Sequence, residues 1–223
     1  MTGLLVVTAV PAEAEAVRAG LLREDATIVP VGVGPAVAGA ATARLLTLAE
    51  AAGRPYQGVV SAGVAGGFAH RVPVGGTVLA TRSLAADLGA ESPDGFIPVD
   101  ELGMTSEQLG GALAVEADPA LLATFRAALP GAVLGTVLTV STVTGTATSA
   151  RALAARHPDA VAEAMEGYGV AVAAAQAGVP FVELRTISNP IGPRDRGAWR
   201  LREALTALAT AATALAREPA AGG

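Results

Sequence analysis

The run Gly3-Leu4-Leu5-Val6-Val7-Thr8-Ala9-Val10, the helical stretch 13–22 behind it and the second apolar run at 27–33 decide how this chain is read. Neither apolar run alternates with polar residues. Continuous apolar strands belong to a sheet covered on both faces, whereas alternation would mark a half-exposed strand. Gly34-Pro35 then opens a long Ala-rich helix over about 36–52, because proline is tolerated in a first helical turn and not beyond it.

The same alternation continues outward. Strands are predicted at 58–63, 77–83, 132–140 and 181–187, and helices at 120–129, 149–156, 166–177 and 199–217. This order predicts an α/β fold: one three-layer α/β/α domain over 1–217, built on a central, mostly parallel, twisted mixed sheet. Residues 218–223 are expected to form a disordered tail. The least regular stretch, 86–111, is a candidate substrate lid or subunit contact.

Composition narrows the function. Of 223 residues 52% are hydrophobic but only 3% aromatic, so the core is built from Ala, Val and Leu. The formal charge is −5, all the basic residues are arginine, and no basic run is interleaved with aromatics, which argues against nucleic-acid binding. With no cysteine, disulfides and thiolate-metal sites are excluded; His70 and His157 lack metal-motif spacing, so neither a metal nor an organic cofactor is expected. The longest uncharged stretch, 127–150, is broken by Pro130, Gly131, Gly135 and Gly145 and reads as strand plus loop, not as a membrane span. The N-terminus opens directly on a strand pattern without a basic leader, so a cytoplasmic location is expected.

Three polar residues stand at the edges of apolar elements: Glu13, Glu166 and Asn189. Each has an ordinary structural explanation. Glu13 and Glu166 sit in first helical turns, where a carboxylate complements the helix dipole, and Asn189 precedes Pro190 as a turn residue would. Taken together they stand at the carboxyl ends of strands, where α/β sheets place their ligands. Gly32-Val33-Gly34-Pro35 invites a dinucleotide-binding reading, but the third glycine of that motif would fall on Val37, so a tight strand–helix turn is the better reading. Ser61-Ala62-Gly63-Val64-Ala65-Gly66-Gly67 lets the chain turn sharply, and equally lets a ligand approach backbone N–H groups.

Thr8-Ala9-Val10-Pro11-Ala12-Glu13, Val31-Gly32-Val33-Gly34, the 61–67 run, Ala164-Met165-Glu166-Gly167 and Arg185-Thr186-Ile187-Ser188-Asn189, in this order, resemble the nucleoside phosphorylase/nucleosidase superfamily. That group includes purine nucleoside phosphorylase, uridine phosphorylase and methylthioadenosine/S-adenosylhomocysteine nucleosidase. The resemblance covers nearly the whole chain, and 86–91 with Ser188-Asn189-Pro190 carry a narrower likeness to nucleosidases that release hypoxanthine. It implies a hydrolase of N-glycosidic bonds acting on a nucleoside, as a homo-oligomer. Glu13 matches the glutamate that activates water, Glu166 the glutamate on the ribose hydroxyls, Met165 the methionine beneath the sugar, and Arg185 an arginine near the acid groups. Gly63, Val64, Ala65 and Ser188 fall among the substrate-contacting positions. Val64 stands where adenine-releasing relatives often carry serine. Val143 and Thr144 lie in the loop that closes over the purine.

Asn189 replaces the aspartate that supports N7 protonation in adenine-releasing nucleosidases. An amide offers one acceptor and two donors, so it can accept from a protonated N7 while donating to a 6-oxo group. A carboxylate facing O6 would set acceptor against acceptor, a mismatch of about 1–3 kcal/mol. The expectation is therefore a 6-oxopurine leaving base. Other readings are a 6-oxopurine phosphorylase, a methylthioadenosine-type nucleosidase and a non-catalytic nucleoside-binding protein. Arg71, Arg194 and Arg196 are candidates to meet an anionic group on the substrate.

Overall fold

A computed structural model describes residues 2–22, 24–105, 107–108 and 110–216, and not the side chain of Thr2. The predicted tail at 218–223, and Arg217 of the predicted last helix, lie outside the described residues.

The opening unit folds as read: β1 (Thr2–Thr8), α1 (Pro11–Gly20), β2 (Thr27–Pro30) and α2 (Pro35–Ala51), with β1 and β2 parallel. Both strands end earlier than predicted. The Ala9-Val10 and Val31–Gly34 stretches instead form the connections into α1 and α2, and Gly32 and Gly34 take φ of 98° and 94° there. That backbone strongly favours glycine, which accounts for the Gly-Val-Gly turn without any dinucleotide.

β3 (Tyr56–Gly67) runs well past the predicted end at Gly63. It is followed by β4 (Thr77–Ala85), the hairpin β5 (Gly89–Ser92) and β6 (Gly95–Pro98), and β7 (Ala114–Glu116). The hairpin lies in the segment read as irregular; Pro93-Asp94-Gly95 turns it, with Gly95 at φ 123°. Then come α3 (Pro119–Ala128), β8 (Val133–Thr139), α4 (Ala147–Arg156), β9 (Ala160–Ala164), α5 (Gly167–Gln176), β10 (Phe181–Pro190) and α6 (Leu201–Ala216).

The main sheet is mixed. β1 pairs β2 and β3 in parallel, β3 pairs β10 in parallel, β8 runs parallel to both β4 and β9, and the β10–β4, β4–β7 and β3–β9 pairs are antiparallel. Because β3 is long, it meets β1 and β10 along its length and β9 at its far end, so β3, β10, β4, β8 and β9 close into a ring. One layer packs α1 and α6 on the sheet through Val17, Leu21, Leu208, Ala211 and Ala212. The opposite layer packs α2 and α5 through Ala38, Leu46, Val170, Ala171 and Ala174. The expected α/β fold with helices on both faces and a mixed central sheet is therefore present. Among the described residues no helix is long and apolar enough to cross a membrane.

Candidate active site

The carboxyl end of β3 organises the site. Glu13 sits in the first turn of α1, where its side chain reaches back to the preceding backbone: Oε2 accepts from Ala9 N at 2.9 Å and Val10 N at 3.2 Å. This is half of a capping box; Val10 has no side-chain acceptor for the other half, so the Glu13 N–H goes to the Val10 carbonyl. Oε1 crosses to β3 and accepts from Val64 N at 2.8 Å. Gly63 makes this approach possible, because a Cβ there would lie 2.6 Å from Glu13 Oε1 and 2.8 Å from Arg185 Nη1.

Glu166 stands at the N-terminus of α5 without capping it through its side chain. Its Oε1 accepts instead from the Gly34 N–H at 3.2 Å, so the glycine turn before α2 holds a site carboxylate. Its Oε2 lies 3.6 Å from Arg185 Nη1. Met165, beside it, is half-buried.

Arg185 is 1% exposed and lies beneath the cluster rather than on its surface. Its Nε donates to Glu183 Oε1 at 2.8 Å and its Nη2 to Ser61 Oγ at 3.1 Å. Burial opposes the guanidinium charge, but Glu183, Glu166 and Glu13 outweigh it and raise the pKa above the ordinary arginine value. Burial also pushes the Glu183 carboxyl upward, opposed by Arg185 and by the hydrogen bond from Ser83. With an always-cationic partner in direct contact, we read the pair as ionised. The Glu183 carboxylate occupies the space under Gly167, where a Cβ would meet its oxygens at 2.2 and 2.3 Å.

The second half of the site lies farther along the same strand. Asn189 pairs with Gly66 on one side of β3, and Glu163 pairs with Gly66 on the other. Asn189 is half-buried; its Oδ1 accepts from Ser188 Oγ at 2.8 Å and its Nδ2 donates to the Pro190 carbonyl at 3.0 Å. Ser188 is buried, and its single hydroxyl proton is shared between Asn189 Oδ1, the nearer acceptor, and the Ala65 carbonyl at 3.3 Å. Glu163 accepts from the Thr144 N–H at 2.8 Å and from the Thr144 hydroxyl. Burial pushes its carboxyl above the ordinary glutamate range, against the opposing pull of those hydrogen bonds. Gly66, Val143, Thr144, Glu163, Asn189 and Trp199 line one small cleft of about 70 Å³. From Gly63 to Gly66 the strand advances roughly 10 Å, the length scale of a nucleoside, at about 3.3 Å per residue.

The described residues 6–216 lie inside the region that matches the model of the Phosphorylase superfamily, which spans residues 6–218. Futalosine hydrolase of Streptomyces coelicolor is 51% identical over 96% of this chain and 94% of its own length. Futalosine hydrolase of Acidothermus cellulolyticus is 46% identical, over 95% and 89% respectively. The chain belongs to the futalosine hydrolase family of the Phosphorylase superfamily. Among solved structures, the S-adenosylhomocysteine nucleosidase of Streptococcus pyogenes superposes with a TM-score of 0.80 at 22% identity, covering 98% of both chains. The futalosine hydrolase of Helicobacter pylori superposes with a TM-score of 0.77 at 16% identity, covering 96% of this chain and 97% of that one. These two likenesses establish the fold. The family assignment places the chain among hydrolases of N-glycosidic bonds, as the sequence led us to expect.

Within this superfamily frame, the predicted residues fall into two groups along β3. Glu13, Gly63, Val64, Glu166, Met165 and Arg185 gather at one, and Ala65, Ser188, Asn189, Val143 and Thr144 at the other. Arg71, one of the arginines considered for a substrate anion, donates to the carbonyls of His157, Ala160 and Ala154 and is committed to the fold. Glu163 and Glu183 are not among the residues the sequence points to, and Gly34 is read there as a turn glycine rather than as a partner of Glu166. The first two left a signal: each is the one carboxylate in its strand, and Glu183 stands two residues from Arg185, on the same face of β10.

Proposed function

We propose that this chain hydrolyses the N-glycosidic bond of futalosine, releasing hypoxanthine and dehypoxanthine futalosine, as a step of menaquinone biosynthesis. Glu13 activates the water, Glu166 holds the ribose hydroxyls and Asn189 binds the leaving base. The family assignment supports the substrate, since two relatives similar over nearly the whole chain are named for it.

The observation that carries the reading is the state of the Asn189 amide. Its oxygen has accepted one hydrogen bond and its NH₂ has given one, which leaves one lone pair and one N–H for the cleft. A protonated N7 beside a 6-oxo group presents the matching donor and acceptor. Glu13 is similarly part-committed. Three backbone N–H groups hold its carboxylate, and one of its roughly four acceptor sites remains, on Oε1 beside Gly63. A water held there has a carboxylate in hydrogen-bond reach to take its proton. Two carboxylates around the sugar stabilise the positive charge that builds on it as the bond to the base breaks. A phosphate nucleophile in place of water would face the Glu13 carboxylate, which disfavours a phosphorylase.

The test is a product assay on futalosine, inosine and methylthioadenosine, with and without phosphate. Hypoxanthine released from futalosine without phosphate is expected. Efficient release of adenine, or an absolute need for phosphate, would overturn the reading.

A further inference from the structure

Glu163 is a 5%-exposed carboxylate that none of the steps above uses. Its position is set by strand register. Asn189 of β10, Gly66 of β3 and Glu163 of β9 are successive partners across three paired strands. The register shifts by one residue between Ile187 and Asn189, so the shared face follows from the one cleft that all three residues line; neighbouring strands are roughly 4.8 Å apart. The row therefore sets an amide and a carboxylate about 10 Å apart at the backbone, with a side-chain-free residue between them. All three line the cleft at the end of β3.

That spacing fits a flat heterocycle lying over Gly66 with opposite edges toward the two side chains. Thr144 fixes the carboxylate from the loop after β8: its N–H donates to Oε1 and its hydroxyl to Oε2. Each oxygen keeps a second lone pair. An ionised carboxylate is acceptor-only, so the group opposite must be a donor. In a 6-oxopurine, N1 carries a hydrogen; in a 6-aminopurine, N1 is a bare acceptor. We propose that Glu163 is a specificity-determining residue that accepts the N1–H of the 6-oxopurine base while Asn189 reads its N7/O6 edge. The two residues then test opposite edges of one ring: an adenine fails at N1, and fails at the other edge once N7 is protonated, when two donors face one amide oxygen. The inference rests on the proposed nucleosidase reading and deepens it.

The test is equilibrium binding of hypoxanthine, 1-methylhypoxanthine and adenine to the wild-type protein and to Glu163→Ala, Glu163→Gln and Thr144→Val. The wild-type protein should prefer hypoxanthine to its N1-methyl form by tenfold or more, the size expected when a buried acceptor loses its donor. Glu163→Ala should bring those two ligands within about threefold of each other, because the group that reads N1 is gone. Glu163→Gln keeps a carbonyl acceptor and adds a donor, so adenine should gain on hypoxanthine by roughly tenfold. Thr144→Val removes the hydroxyl that fixes Oε2 and should reduce the preference for hypoxanthine over 1-methylhypoxanthine.

If Glu163 only braces the loop at 141–146, Glu163→Ala will weaken both hypoxanthines equally and their ratio will persist, which overturns the proposal. Should Glu163→Ala fail to fold, the near-isosteric Glu163→Gln decides the matter, since an unchanged adenine to hypoxanthine ratio also overturns it. A wild-type protein that binds hypoxanthine and releases it from futalosine, yet shows either result, loses this inference alone. One that does neither loses the functional reading beneath it.

Discussion

Glu13 has three backbone N–H groups on its carboxylate before any ligand arrives, and Gly63 leaves it the room to do so. Its orientation is therefore fixed by the backbone on either side of it. Glu13→Gln keeps the side chain's volume and the two bonds from Ala9 and Val10, gives up the bond from Val64, and removes the proton acceptor. Turnover is expected to fall by about 10²–10⁴-fold with substrate binding retained, measured as kcat against Kd. Unaltered trace turnover would instead mark a binding protein. Glu163 gives a separate signal in stability. Its folded pKa is raised, by burial first, so the folded state holds that proton more readily than the unfolded chain. The stability it contributes is fully present below the ordinary value of 4.5 and is lost as pH rises through the raised folded value. Urea midpoints measured across that window should decline with pH more steeply for the wild type than for Glu163→Gln. The sequence disclosed Glu13, Glu166 and Asn189 because each ends an apolar run. Glu163 left only the mark of a lone carboxylate in a five-residue strand of Ala and Val, and its pairing across Gly66 with Asn189 is a matter of strand register that local pattern does not encode.

At the scale of elements, the strand–helix order was legible because fully buried strands are written as unbroken apolar runs. Several features were not, the three-residue strand β7 among them. The ring formed by β3, β10, β4, β8 and β9 depends on pairing between segments far apart in the chain, which local pattern does not encode. The extension of β3 to Gly67 puts Ala65 and Gly66 inside a strand, and it is this extension that links the Glu13–Glu166 cluster to the Asn189–Glu163 cleft. The β5–β6 hairpin was overlooked although Pro93-Asp94-Gly95 is a turn signal. Element packing also gives a prediction. α2 and α5 touch backbone to backbone, and a Cβ on Gly169 would lie 2.0 Å from the Pro35 carbonyl oxygen. That clash is with main chain and cannot be relieved by a rotamer change. Gly169→Ala should cost about 1–3 kcal/mol, read as a lower urea midpoint, and should also disturb Glu166 through the Gly34 turn that precedes α2.

For the molecule as a whole, α2 and the segment after β4 leave apolar side chains outside. Val37, Leu48, Leu88, Leu102 and Met104 are exposed, and a cavity of about 530 Å³ opens between α2 and α5, lined by Pro35, Ala40, Ala43, Leu88, Tyr168 and Val172. We propose that this face is covered by a second copy of the chain, which also gives the 86–111 segment its place beside a neighbour. Light scattering on the purified protein should report at least twice the 21.9 kDa chain mass, and Leu88→Arg with Val172→Arg should return it to a monomer. A monomeric wild type would contradict the proposal. The central claim, that the Asn189 amide selects a 6-oxopurine leaving base, is tested most directly by one substrate swap. The ratio of kcat/KM for futalosine to that for methylthioadenosine should strongly favour futalosine in the wild type and should fall by about ten- to a hundredfold in Asn189→Asp. A ratio that is unchanged by the substitution would contradict the account.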